Sequence, residues 1–100
     1  TVTQDLVAAG EGSEVLYTDV GVSMGKEEES KSRLEMFKGY QINAPLMAKA
    51  NPDALLMHCL PAYRGKEVSE EALEEHSTTI FDQAENRLHA QKAIMSWLVE

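Results

Sequence analysis

The chain has 100 residues, of which 43% are hydrophobic, and 9 Lys plus Arg against 17 Asp plus Glu leave a formal net charge of −8. So acidic a surface repels phosphate backbones and anionic lipid, which argues against nucleic-acid and membrane-surface binding. The length suits one modest core, not two domains with a cleft between them, and apolar stretches such as Ile42 to Met47 and Ala54 to Met57 fall far short of the ~20 residues that span a bilayer.

In chain order, Thr3 is placed to cap a short helix over Gln4 to Ala9, which Gly10 and Gly12 end. Glu14 to Thr18 is rich in β-branched and aromatic residues and reads as a strand, its near-continuous apolar run suggesting cover on both faces. Asp19 to Gly25 follows as a loop. Lys26 to Phe37 reads as a charged amphipathic helix with Glu27, Glu28 and Glu29 in its first turn, where the helix dipole favours negative charge. That charge run is the usual signature of a solvated face. Asn43 caps a helix from Ala44 with Pro45 in its first turn, and Pro52 ends that segment.

Ala54 to His58 reads as a second strand, followed by a loop from Cys59 to Gly65. Ser69 caps a short acidic helix over Glu70 to Glu75. Thr78 to Phe81 reads as a third strand, after which Asp82 caps the longest helix, Gln83 to Val99, with Ala84, Leu88, Gln91, Met95 and Leu98 on one face. Strands that run into polar loops before helices form the parallel-sheet pattern of an α/β fold. Ligands in such sheets bind beyond the carboxyl ends of the strands, which puts Asp19 to Gly25 and His58 to Gly65 at one edge.

The first loop offers the Asp19 carboxylate, the Ser23 hydroxyl and backbone amides near Met24 and Gly25. These suit a ligand carrying both an ammonium and a carboxylate, such as an amino acid. The simpler alternative is that Asp19 and Ser23 only cap the next helix. In the second loop, a thiol beside a histidine suggests a nucleophile, but adjacent strand residues point to opposite faces, so His58 is badly placed to serve Cys59 as a base. His58 reads as a buried histidine that bonds the backbone, and Cys59 as a small buried hydrophobe. One cysteine, with histidines at 58, 76 and 89, has no metal-ligand spacing and cannot close an internal disulfide, which fits a reducing cytosol. Arg64 and Arg87 are candidate anion holders. Arg87 falls early in the expected last helix, where the dipole disfavours a cation, so it either serves something beyond its helix or pairs with an acid such as Glu85.

Three runs, Thr18-Asp19-Val20-Gly21-Val22-Ser23-Met24-Gly25, His58-Cys59-Leu60-Pro61 with Arg64-Gly65, and Ala84-Glu85-Asn86-Arg87, together resemble the C-terminal part of the ornithine carbamoyltransferases. The resemblance covers essentially the whole chain. It implies a truncated three-layer parallel sheet of the Rossmann-like second domain of that family, with residues 1–100 a partial ornithine-binding domain and the carbamoyl-phosphate domain absent. It further implies transfer of the carbamoyl group of carbamoyl phosphate to the δ-amino group of L-ornithine, giving citrulline and phosphate in arginine biosynthesis, in an oligomeric cytoplasmic enzyme with no metal or organic cofactor. Asp19, Ser23 and Met24 match the loop that holds the α-amino and α-carboxylate ends of ornithine. His58, Cys59 and Leu60 match the segment where the two substrates meet, with the Leu60 carbonyl orienting the carbamoyl NH2 and Cys59 near the attacking amine. Arg87 matches an arginine that polarises the carbamoyl carbonyl, and the Leu60–Pro61 bond is cis in the family.

Two positions depart from the family pattern: Gly21 stands where a tryptophan is usual, and Tyr63 where bacterial members usually have histidine. Aspartate carbamoyltransferases usually have proline at the place of Cys59, and a putrescine-specific relative would not need carboxylate partners at Ser23 and Met24. An isolated chain with one wall of a two-domain cleft is expected to be inactive. A truncated parallel sheet also exposes a strand edge, so a non-catalytic, self-associating fold module is the alternative from another class.

Overall fold

A computed structural model describes residues 1–22 and 27–100. Its centre is a parallel pair of short strands, β1 (Val15–Thr18) and β2 (Leu55–His58), in the register Val15–Leu55, Leu16–Leu56, Tyr17–Met57 and Thr18–His58. Alternation along each strand divides the side chains between two faces. Leu16, Leu56 and His58 are buried, and the first two join Ile42, Leu46, Ala50, Ala54, Val68, Ala72, Leu73 and Ile80 in a single core. Val15, Tyr17 and Leu55 lie on the other face and are exposed. Among the described residues this second face is therefore only partly covered, less than its near-continuous apolar run implied.

The helices owe their starts to side-chain caps. Helix α1 (Leu6–Gly10) begins two residues later than expected because Asp5, not Thr3, is its cap: the Ala8 N–H donates to Asp5 Oδ1 at 3.0 Å, while Thr3 Oγ1 accepts from the Asp5 N–H at 3.1 Å. Gly10 is where α1 meets α3 (Ala44–Met47), and a Cβ there would stand 2.9 Å from Leu46 Cδ1, so a larger residue would require the Leu46 side chain to shift. Asn43 caps α3 through the Leu46 N–H, as its sequence implies. The charged segment forms a 3-10 turn at Glu27–Glu29 and then α2 (Ser30–Met36), so the acidic triplet precedes the α-helix and does not fill its first turn. Ser69 caps α4 (Glu70–Glu75), as expected.

The third strand is not formed. Thr78 to Phe81 belongs to α5 (Ser77–Val99), a single helix of 23 residues, and the sheet among the described residues has two strands. His76 closes α4 and turns the chain, and the Ile80 N–H then donates to the His76 carbonyl at 3.1 Å. Burial across this stretch comes once, at Ile80, not at alternate residues, so packing overrides the β-branched composition. Asp82 is consequently an exposed residue inside a helix and not its cap. The face carrying Ala84, Leu88, Gln91, Met95 and Leu98 is likewise no part of the core: Ala84 is half-buried and every residue from Glu85 onward is exposed. No helix is long and apolar enough to cross a membrane among the described residues.

These caps separate in a stability measurement. Ser69→Ala lowers the unfolding free energy by about 1 kcal/mol, the usual value of an N-cap. Asp82→Ala changes it by less than about 0.5 kcal/mol, as at an ordinary exposed site. A loss at Asp82 matching that at Ser69 in urea unfolding would contradict a continuous α5.

Candidate functional site

The strand register builds the site. Thr18 pairs with His58, so the next residues of the two chains, Asp19 and Cys59, leave the sheet side by side at its carboxyl edge. They also share the face of Tyr17, by alternation. The Asp19 carboxylate accepts the Val20 N–H at 2.7 Å and meets the Cys59 thiol. These two hydrogen bonds hold its pKa below the ordinary carboxylate value, with a further contribution from His58. Asp19 is thus an exposed anion, and among the described residues its carboxylate caps no helix.

Cys59 titrates in the opposite sense. Burial is the main cause of its raised pKa, and the hydrogen bond and charge of Asp19 add to the effect, while a hydrogen bond from Tyr17 opposes it. A thiol held in its neutral form is a hydrogen-bond donor and a poor nucleophile, which removes the nucleophile reading on chemical grounds.

His58 is fully buried on the opposite face and acts as a backbone brace. The Leu60 N–H donates to Nδ1 at 2.8 Å, which assigns the ring proton to Nε2, and Nε2 lies 2.9 Å from Glu67 Oε1. The same Glu67 oxygen accepts the Tyr63 N–H at 2.8 Å. One buried carboxylate therefore fixes the loop from both ends, through the histidine and through Tyr63. Between them Leu60 adopts a left-handed φ of 56°, unusual for a branched residue, and its bond to Pro61 is cis as the resemblance implied.

Gln83 of α5 ties the last helix to this edge. Its Oε1 accepts the His58 N–H at 3.0 Å, and its Nε2 donates to Tyr17 Oη at 3.0 Å. Arg87 stands four residues further on the same helix face and is exposed. It lies ten residues beyond the helix start at Ser77, not near it, so the dipole argument for its position lapses. Among the described residues it forms no ion pair, and Glu85 instead approaches His89 Nε2 at 3.6 Å. Arg64 is committed elsewhere, its guanidinium bonded to Glu74 with Glu70 nearby, and Glu74 raises its pKa.

The structure sets Asp19 and Cys59 side by side at the strand ends, with His58 and Leu60 next to them, and among the described residues brings Arg87 into hydrogen bonding with none of these. Ser23 and Met24 lie outside the described residues. Beside Asp19 an open trough of about 1070 Å3 runs between the end of β1, α2 and the segment from Tyr63 to Glu67. Phe37 lines it and packs over Gly21, where a Cβ would come within 3.1 Å of Phe37 Cδ2. A larger residue at 21 therefore requires Phe37 to move. No three His, Cys, Asp or Glu side chains converge on a common metal position among the described residues. Tyr17, Glu67 and Gln83 were missed in the sequence. Alternation alone puts Tyr17 on the face of Asp19, whereas Glu67 and Gln83 carry no local signal, because each acts on a residue distant along the chain.

A parallel sheet whose carboxyl edge presents an acid–thiol pair, braced by a buried histidine and a helix-borne glutamine, defines an α/β domain. The model of the aspartate/ornithine carbamoyltransferase Asp/Orn-binding domain matches residues 1–98, and the chain belongs to that family. The ornithine carbamoyltransferase of Nitratiruptor sp. is 56% identical over 94% of this chain. In three dimensions the chain superposes on the anabolic ornithine carbamoyltransferase of Campylobacter jejuni with a TM-score of 0.89 at 47% identity, over 94% of this chain and 31% of that one. For the Thermus thermophilus ornithine carbamoyltransferase the TM-score is 0.82 at 40% identity, over 98% and 31%. The chain spans about 30% of the length of the curated Nitratiruptor relative.

The brace predicts a selective stability loss. Glu67→Ala leaves the His58 Nε2–H and the Tyr63 N–H without their acceptor and costs about 1–3 kcal/mol in urea unfolding. Glu67→Gln retains an accepting oxygen and costs less. Equal losses in the two variants would assign the effect to the charge of Glu67 and not to its acceptor oxygen.

Proposed function

We propose that these residues form the ornithine-binding wall of an ornithine carbamoyltransferase, the enzyme that moves the carbamoyl group of carbamoyl phosphate to the δ-amine of L-ornithine, releasing phosphate and citrulline. The observation that carries this reading is the Asp19–Cys59 pair at the carboxyl edge of the parallel strands, inside a chain of this family. In this reading residues 1–100 are part of the ornithine domain, and carbamoyl phosphate is held by residues outside them.

Asp19, held anionic, suits an ammonium partner, and Ser23 and Met24 provide for the α-carboxylate end. An ammonium has no lone pair with which to attack, so the δ-amine must first lose a proton, and Asp19 with the adjacent Cys59 supports that loss. Leu60 orients the carbamoyl NH2 through its carbonyl, in a loop that His58 holds. Arg87, with no ion pair among the described residues, meets charge that develops on the carbamoyl oxygen. Asp19, Cys59 and Arg87 are then the catalytic residues, and most of the rate gain comes from holding two substrates in line. The relative from Campylobacter jejuni, named as anabolic, supports a place in arginine biosynthesis, and the single cysteine suits the cytoplasm.

One wall of a cleft binds without turning over. In amide NMR on the chain, L-ornithine shifts Asp19, Ser23 and Met24 saturably and putrescine shifts them less, while mixtures with carbamoyl phosphate give no citrulline above an Asp19→Ala control. Absence of saturable shifts in a folded chain sinks the ornithine-wall reading, and citrulline above the control sinks the inactivity.

A second reading is a self-associating module, favoured by the outer sheet face, where Val15, Tyr17 and Leu55 are 48%, 55% and 46% exposed, and by the apolar end of α5. Sedimentation then shows a species heavier than 11.1 kDa that grows with concentration. A lone 11.1 kDa species at high concentration excludes this reading.

A further inference from the structure

The backbone amides of β2 alternate in direction. The Leu55 N–H donates across to the Glu14 carbonyl at 2.9 Å, so Leu55 and Met57 face β1 through their backbone, while Leu56 and His58 face away from it. Among the described residues the sheet ends there, with β2 at its margin. At the carboxyl end of that open margin the His58 N–H meets a side chain and not a third strand: Gln83 Oε1 accepts it at 3.0 Å. With its oxygen so engaged, the Gln83 amide turns its NH2 to Tyr17 and donates to the phenol oxygen at 3.0 Å. One side chain from α5 therefore bonds the backbone of β2 and a side chain of β1, within two residues of both Cys59 and Asp19.

Packing alone does not set the rotation of α5. Its buried residue is Ile80, and burial is a non-directional attraction that a rolling helix keeps in part. Hydrogen bonds are directional, and two of them from one side chain leave little freedom to roll. Gln83 stands three residues after Ile80 and Arg87 a further four, so the three lie along one face of the helix. We propose that Gln83 is a positioning residue: it takes the place of a third strand at the open margin of β2, and its two bonds fix the rotation of α5 and with it the placement of Arg87 relative to Asp19 and Cys59. The value of that placement in catalysis rests on the ornithine-wall reading, and the clamp itself does not.

The test reads geometry in the chain, with no substrate present. An NMR coupling across the hydrogen bond, between the His58 amide nitrogen and the Gln83 side-chain carbonyl carbon, is present in the parent. Residual dipolar couplings of the backbone N–H vectors give the orientation of α5 against β1 and β2. Gln83→Leu removes both bonds, and Gln83→Asn, one methylene shorter, cannot reach from α5 to both His58 and Tyr17. In each variant the His58 amide exchanges with solvent roughly tenfold faster, about the worth of one hydrogen bond. The dipolar couplings from Ser77 through Arg87 then fit a rotated helix. Gln83→Glu restores the parent orientation, because its carboxylate accepts from the His58 N–H and, with the phenol now as donor, from Tyr17. Tyr17→Phe keeps the His58 coupling and rotates α5 less than Gln83→Leu.

An α5 orientation unchanged after the His58 bond is lost overturns the proposal, even where the variant is less stable, because Gln83 is then a local bond only. A parent without the coupling overturns it as well, and so does a Gln83→Glu chain whose helix stays rotated. If Gln83→Leu does not fold, Gln83→Asn decides. The ornithine titration is separate: a helix that rotates in a chain that does not bind ornithine keeps the clamp and removes the substrate reading, and saturable ornithine shifts with an unrotated helix remove the clamp alone.

Discussion

The parallel pairing of β1 with β2 is the constraint from which the rest of the molecule follows. A pair of four-residue strands is a small object, yet its register decides which residues emerge together at the carboxyl edge. Thr18 opposite His58 makes Asp19 and Cys59 neighbours although they lie forty positions apart in the chain. The helices that pack beneath bury Leu16, Leu56 and Ile80 and so hold the register, because a shift by one position would bring Tyr17 and Met57 to the core. Stability and site geometry are in this sense the same property.

The loop after β2 is held by a different logic. Its backbone takes an uncommon course, with a left-handed leucine followed by a cis bond, and no regular hydrogen-bond ladder supports it. Support comes from below, through a buried histidine whose two nitrogens have distinct partners and a glutamate that serves two donors with one oxygen. Such polar networks are worth more when complete than their members are singly. Asp19 and Arg87 stay exposed to solvent, while the groups that shape the loop, His58 and Glu67, are buried.

Much of this was legible in the sequence. Caps such as Asn43 and Ser69 announce helix starts because the signal is local: one side chain and an amide three residues on. The two strands showed in their composition, and the shared edge followed from their being parallel. Thr78 to Phe81 misled for a physical reason. Two threonines, an isoleucine and a phenylalanine favour extended chain in isolation, but one buried Ile80 and a turn at His76 are enough to keep the segment helical. From that misplaced helix start came the mistaken significance given to the position of Arg87. Glu67 and Gln83 were silent because their partners lie far off in sequence, and a glutamine reaching a strand-end N–H leaves no trace in spacing or composition.

The alternation of β1 sorts one stretch of chain into two kinds of position. Even-numbered Leu16 is judged by volume, since it fills a core. Odd-numbered Tyr17 and Asp19 are judged by what they donate and accept. Substitutions along this stretch therefore divide by parity into those that weaken the fold and those that leave it intact with an altered edge. A single inserted residue inside β1 exchanges the two classes at once, turning Tyr17 with its phenol toward the core face, so this strand tolerates exchange of residues far better than any change in their number.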